Sequence, residues 1–444
     1  MTDHPLRDEL YLYVTNDPSV GPADRARIRT HIEMCGHCSQ EAEDLQLFET
    51  TLRDIDFADY LAQPTRTAAA LQSMFLGDMD RRHVDREIAD AFFNELMTRP
   101  VHHWKSMLGD VPAQCTEGLA RRILREVDVE MNRRPKFALQ LLGAAEHISS
   151  HLTGDDSAAL SGDVCKQRAN AYRHLGQYDD SLTQCDLAID FYSTLLAGDY
   201  DILQAHLTSA ITLFKMTEYK RALSILATII PKLRAFGVNT PYIRSLLLHG
   251  NIVVEQGDTA SGVDIYRQAL KLLQTSPDPA EEARILANLA DCNLRLLNYE
   301  QAITDALSAI ARYDSLRMEA ESNRSAWTLA VARLRTGDPA ALHQLDLTAQ
   351  TFDTLGMILD AGFVRLDITE ELLRREDSVA AAATARELVP LFARAGVTLA
   401  SVEAINYLRL AVEANAATSD LIEYIRAYVT ADDPKRPFTP PRIN

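Results

Sequence analysis

The 444-residue chain reads as an all-α protein, a small zinc-stabilised N-terminal helical bundle followed by a long solenoid of helix pairs. Three observations predict this. Apolar residues recur at i, i+3, i+4 and i+7 along most of the sequence, while period-two alternation is rare. From residue 117 onward one turn pattern returns about every 40 residues. A histidine and two cysteines stand at 31, 35 and 38 with the spacing of metal ligands.

The totals exclude several functions. Net charge is -18 and 47% of residues are hydrophobic, enough for real cores in two or more folded units. No basic stripe is present, so direct binding of nucleic acid through its phosphates is not expected. An acidic surface suits a basic protein partner better. No apolar run approaches the roughly 18 residues that span a bilayer, and the opening residues MTDHPLRDEL lack the pattern of a signal peptide. Apart from Cys35 and Cys38, the cysteines Cys115, Cys165, Cys185 and Cys292 are scattered and form no disulfide framework. The expected location is the cytoplasm, with no membrane contact.

Residues 1–60 carry the metal motif. The segment after Gly21-Pro22 reads as a helix through Met34, and on it His31 and Cys35 are four apart and share a face. Cys35-Gly-His-Cys38 then turns into a second helix, roughly 39–52, with Leu45, Phe48 and Leu52 inward. Two thiolates and an imidazole suit Zn2+, which needs four ligands in a closed structural site. His4, ahead of a short helix over 6–14, is the best candidate for the fourth, and His37 inside the turn is the nearest competitor.

This arrangement resembles the zinc-binding anti-sigma factor family of bacteria over residues 1–55. In that family a short helix, a Pro-containing link and a helix-borne H-x3-C-x2-C build a zinc bundle. With a following helix, the bundle wraps an RNA polymerase sigma factor. The resemblance implies metal ligands at His4, His31, Cys35 and Cys38, and a sigma factor as partner. It departs from the redox-sensing members, which have a cysteine where His4 stands, and from the membrane-anchored ones, because repeats follow here instead of a spanning helix.

Residues 61–116 form a helical linker region punctuated by Pro64, Pro100 and Pro112. A helix over 82–97 places Val84, Ile88, Phe92 and Leu96 on one face, and a shorter one is expected over 67–79; either could embrace a sigma factor. His102-His103-Trp104 reads as an irregular, partly buried loop.

Residues 117–430 repeat. The clearest unit has Ala169, Tyr172, Gly176, Tyr178, Ser181, Cys185 and Ala188. Ala169 and Ala188 allow close helix approach, and Gly176 ends the first helix in a left-handed conformation. The unit resembles a tetratricopeptide (TPR) repeat with lengthened helices. Its turn returns at 135, 178, 219, 259, 299, 339 and 378, spacings of 39 to 43. Small residues accompany it at Ala138, Ala145, Ala222, Gly262, Ala269, Ala302, Ala309 and Ala381. A last pair over 399–415 and 419–429 caps the array, and the Pro-rich tail 431–444 is expected to be disordered or extended. A TPR array implies a second protein or peptide as ligand.

No H-E-x-x-H, Walker A or Gly-rich dinucleotide loop occurs, and Glu33 lies off the His31/Cys35 face. The expected protein is a soluble, non-enzymatic transcription regulator of the anti-sigma type, its TPR array binding a second protein. The alternative is a TPR interaction scaffold whose zinc module is only structural.

Overall fold

A computed structural model describes residues 10, 13–14, 21–34, 38–39, 42–43, 45–46, 87–110, 115–131, 134–196, 198–237, 239–431 and 436–441. The chain divides into two compact units, Met1–Glu87 and Ile88–Asn444.

In the first unit, helix α1 spans Pro22–Met34. Proline at its first position needs no hydrogen-bonded N–H, and the Gly21 carbonyl accepts from Arg25 N at 3.0 Å. Helical backbone recurs at residues 10, 13–14, 38–39, 42–43 and 45–46. Leu10, Ile28, Cys38 and Leu45 form a small buried cluster flanked by Tyr13, Val14 and Ile32.

The second unit begins with helical residues 88–97 (α2), a 3-10 turn Val101–His103 and α3, Trp104–Asp110. Helix pairs follow. The first helices are α4 Glu117–Met131, α6 Gly154–His174, α8 Asp199–Lys215, α10 Thr240–Glu255, α12 Pro279–Arg295, α14 Glu319–Arg335, α16 Ile358–Arg374 and α18 Leu399–Glu413. Their partners are α5 Pro135–Ser149, α7 Tyr178–Ser193, α9 Tyr219–Ala235, α11 Thr259–Leu273, α13 Tyr299–Ser315, α15 Ala341–Thr354, α17 Ser378–Ala395 and α19 Ser419–Ala431. Each helix packs on the next, and the first helices also touch one another in a row from α4 to α14. That is the α-solenoid the repeat predicts.

The seven second helices α5 to α17 start at the turn positions read from sequence or, for α15, two residues later, and one device makes the last six of these turns. Gly176, Thr217, Gly257, Leu297, Gly337 and Glu376 all have positive φ. The N–H of the next residue closes back on the first helix: Gln177 to Tyr172, Glu218 to Leu213, Asn298 to Asn293 and Asp377 to Leu372, at 2.8–2.9 Å. This is the Schellman closure. Small residues let the helices meet: Ala138, Ala145, Ala169, Ala188, Ala222, Ala269, Ala302, Ala309 and Ala381 are all fully buried. Cys165, Cys185 and Cys292 pack in the same layers, and burial pushes their thiols upward, Cys185 to about 11 and Cys292 to about 12.

Glycine is required at three places inside first helices, against the rings of Tyr192, Tyr266 and Phe392, the last at Gly362. A Cβ on Gly162 would lie 2.5 Å from the Tyr192 ring, and one on Gly250 2.5 Å from the Tyr266 ring. Both rings are almost fully buried, and their hydroxyls donate to Asp163 (2.7 Å) and Asn251 (2.5 Å) on the first helices.

Two sequence expectations are corrected and a third, the extended tail, is sharpened. In α2, Phe92 and Leu96 face inward as read, but Ile88 is exposed and the buried face is completed by Ala89 and Phe93. That face joins the core of α4 and α5, so the residues from 88 onward belong to the solenoid's first layer. His102-His103-Trp104 is a 3-10 turn entering α3, with both histidines exposed and Trp104 buried, donating from Nε1 to the Arg99 carbonyl at 3.1 Å. In the tail, residues 436–441 are docked: the Phe438 ring packs tilted against Tyr407 and edge-on against Tyr428, and the Tyr428 hydroxyl donates to the Arg436 carbonyl at 2.6 Å. The expected helix over 67–79 lies outside the described residues.

Among the described residues no helix is long and apolar enough to cross a membrane.

Candidate functional site

The first helices carry a polar face, which in an α-solenoid is the concave one. Counting from the left-handed residue of each turn, side chains 2, 6, 9, 13 and 16 positions earlier share that face, the helical spacing of about 3.6 residues. It is laced by bonds between neighbouring first helices. Gln167 Nε2 donates to Asp128 Oδ1 (2.6 Å) and Asn288 Nδ2 to Asn251 Oδ1 (3.0 Å). Arg244 Nε donates to Glu281 Oε1 (2.7 Å), Arg324 Nε to Asp360 Oδ1 (3.0 Å) and Trp327 Nε1 to Asp367 Oδ2 (2.6 Å).

Two charge effects reach between non-adjacent first helices. The carboxylate of Asp128 on α4 feels Arg244 on α10, and the amine of Lys215 on α8 feels Arg324 on α14. Burial raises the Asp128 carboxyl despite its bond to Gln167 and its cationic neighbours.

Beyond α14 the row changes. Helix α16 packs against the C-terminal helix α19, and Arg426 of α19 reaches Asp367 with Nη2 at 2.5 Å from Oδ1. The carboxylate of Asp367 thereby joins Trp327 on α14 to Arg426 on α19. An open cleft of about 580 Å³ lies here, lined by Asn288, Asp291, Glu321, Thr328, Trp327 and Arg426 among others. The ion-pair ladder is irregular at this point. Arg244 and Arg284 both engage Glu281, whose side chain is 1% exposed and whose Oε2 has no partner, while Arg284 forms no pair one repeat on with Glu321.

Of the residues expected to hold metal, His31 sits half-buried in the last turn of α1 and Cys38 is buried against Ile28, Leu10 and Leu45. His4 and Cys35, and the competitor His37, lie outside the described residues. Among the described residues, no three His, Cys, Asp or Glu side chains are grouped to hold a metal ion.

Sequence reasoning located the solenoid but not the groove's polar lacing. The signal was available: Arg244 and Glu281 are 37 residues apart, Arg324 and Asp360 36, Trp327 and Asp367 40. Complementary polar residues one repeat apart at the same helical phase must face each other.

No protein-family model matches the chain, and no curated protein matches it by sequence. Solved structures match by fold. A Rap conjugation gene regulator of the plasmid pLS20, in complex with the Phr* peptide, is 13% identical with a TM-score of 0.52, covering 88% of this chain and 95% of that one. A Rap protein complexed with competence and sporulation factor is 16% identical with a TM-score of 0.50, covering 87% and 98%. Aspartyl phosphate phosphatase F from Bacillus subtilis is 11% identical with a TM-score of 0.50, covering 88% and 94%. At these identities the likeness is one of fold.

Proposed function

We propose that the protein is a non-enzymatic TPR-type regulator whose groove, formed by α4 to α16, binds an extended peptide or a peptide-like segment of another protein. The curved polar face carries the reading. Its amide and carboxylate groups at Gln167, Asn251, Asn288 and Asp367 are spaced by the helix-to-helix step and suit an extended backbone with alternating donors and acceptors. The cleft beside Trp327 offers an apolar wall within that polar lining. Two fold neighbours were captured with a ligand, one with the Phr* peptide and one with competence and sporulation factor, and the first supports the assignment.

The test is selection of a displayed peptide library on the full-length protein, with Thr328→Arg as the control. Thr328 lines the cleft, and a long cation there obstructs it. Enriched peptides that bind the native chain and lose at least tenfold on Thr328→Arg support the reading. Peptides that bind both proteins equally would place the interaction elsewhere.

A second part of the reading concerns the N-terminal unit. We propose zinc held by His4, His31, Cys35 and Cys38, closing a bundle too small to be held by its few apolar side chains alone, and a sigma factor as its partner. What supports it is the H-x3-C-x2-C spacing, together with His31 standing in the last described turn of α1 and Cys38 being buried in the small core beside Ile28. Metal analysis of the purified protein and of Cys35→Ser/Cys38→Ser decides it: one zinc per chain, lost in the variant, against no zinc in either.

A further inference from the structure

Along most of the groove the basic side chains are matched by acids. Arg244 meets Glu281, Arg295 meets Asp291 at 2.9 Å, Arg324 meets Asp360, Arg335 meets Glu370 at 3.7 Å, and Arg426 meets Asp367. One stretch differs. Near the ends of the touching helices α6 and α8, Arg173, His174 and Lys215 act on one another, and among the described residues none of them forms an ion pair with a carboxylate.

The placement follows from the repeat. His174 and Lys215 hold the same position, two residues before the left-handed turn residues Gly176 and Thr217, on neighbouring first helices that touch. Arg173 Nη2 lies 3.5 Å from His174 Nε2 and donates to Asn170 Oδ1 at 3.2 Å. Asn170 is itself fixed by donating to Gln167 Oε1 at 3.2 Å, and Gln167 by donating to Asp128. The guanidinium is thus held by a relay along α6, yet its buried Nε has no partner. Lys215 is exposed to solvent, its amine 5.9 Å from the centroid of the Phe214 ring. Arg324 bears on it from across the groove.

A chain with 63 acidic and 45 basic residues has carboxylates to spare for pairing. Leaving a half-buried guanidinium without one costs free energy, because its donors are withdrawn from water and incompletely bonded. Arg173 and Lys215 also repel each other. Burial and then Arg173 and Lys215 lower His174 to about 4, and burial followed by Arg173 and Arg324 lowers Lys215.

We infer that Arg173 and Lys215, with His174 beside them, form an anion subsite that takes a carboxylate of the groove ligand, its C-terminus or an acidic side chain. This rests on the peptide-binding reading above and adds the chemistry of one end of the ligand. A carboxylate between the two cations accepts charge-assisted bonds from the guanidinium and the amine and removes their mutual repulsion. The same groove then offers opposite charge elsewhere: Glu321 and Asp291 line the cleft near α12 and α14. An acidic group at the α6–α8 end and a neutral or basic one at the cleft fixes the direction in which a peptide lies.

Two measurements on the full-length protein test this. First, inorganic phosphate is titrated at constant ionic strength and the melting temperature recorded. The native chain gains stability with phosphate, and Arg173→Ala and Lys215→Ala each lose that gain. An equal rise in all three proteins overturns the subsite whether or not peptides bind. Second, peptides selected on the native chain are resynthesised with the C-terminus amidated, or with Glu and Asp replaced by Gln and Asn. Amidation or acid replacement weakens binding about tenfold or more, which of the two identifies the carboxylate, and Lys215→Glu removes the preference. Peptides that are blocked by Thr328→Arg but indifferent to both changes overturn the anion subsite alone. Peptides that ignore Thr328→Arg overturn the groove reading itself.

Discussion

The α6–α8 stretch and the α10–α14 stretch are built on the same core and differ at the groove surface. Each places a tyrosine of the second helix under a glycine of the first, Tyr192 under Gly162 and Tyr266 under Gly250, and each tyrosine hydroxyl is bonded to the first helix. Above that shared core, α10–α14 ties its arginines to carboxylates one repeat away, whereas α6–α8 presents Arg173 and Lys215 without any. Repeats therefore fix where side chains stand, and single substitutions at fixed positions decide whether the surface is closed on itself or open to a ligand.

The largest effect expected from breaking this contrast is at Glu281. It is buried and accepts from both Arg244 and Arg284. Charge-assisted bonds of this kind are worth about 1.5–3 kcal/mol, and both arginines remain part-exposed, so Glu281→Ala should cost about 2 kcal/mol in chemical denaturation. Lys215→Ala, at the equivalent surface of the open stretch, should change stability by less than about 0.5 kcal/mol. A comparable loss at both sites would mean that the two stretches do not differ as described.

The next effect should be the same in both stretches. Gly162→Ala and Gly250→Ala each gain about 1 kcal/mol of helix propensity and each force a methyl into a buried tyrosine, an overpacking cost of about 1–3 kcal/mol. A net loss in both variants, measured by urea unfolding, confirms the shared core. Net stabilisation in either would show that its ring can move aside.

A smaller effect of opposite sign is expected in the turns. Leu297 and Glu376 adopt φ of 62° where other repeats have Gly176, Gly257 and Gly337. Left-handed backbone costs a side chain roughly 1–2 kcal/mol, and the added freedom of glycine when unfolded returns part of it. Leu297→Gly should therefore stabilise by up to about 1 kcal/mol, and Gly257→Ala should destabilise by a similar amount.

These turns also mark how far the sequence is legible. The 40-residue period was readable because small residues and turn residues recur, and the helices start where that period places them. Thr217, Leu297 and Glu376 carry no glycine signature, yet they take the same conformation because the Schellman closure and the packing of two helices impose it. In α2 an apolar stripe through Ile88 misassigned part of the buried face, since Ala89 contributes to the core by its small size, which hydrophobic pattern reading underweights. The docked Phe438 was hidden because prolines and charges around it resemble an extended tail. The groove's pairing was visible only once residues one period apart were compared. The residues expected to hold metal stand differently: the spacing is explicit in sequence, and His31 and Cys38 are placed, while His4 and Cys35 lie outside the described residues.

The smallest expected effect is on pH dependence. Burial, Arg173 and Lys215 hold His174 at about 4, below its ordinary 6.5, so the unfolded chain takes up this proton first. Its contribution to stability is intact above about pH 6.5 and is lost as pH falls toward 4. His174→Gln should flatten that part of the stability profile, and an unchanged slope would remove His174 from the account.

The central claim, that the first-helix face holds the ligand, is tested most directly by photo-crosslinking in the full-length protein. A benzophenone amino acid is placed at Thr328 in the groove or at Leu187, exposed on the second helix α7. A selected peptide should crosslink from position 328 and not from 187. Crosslinking from 187, with none from 328, would contradict it.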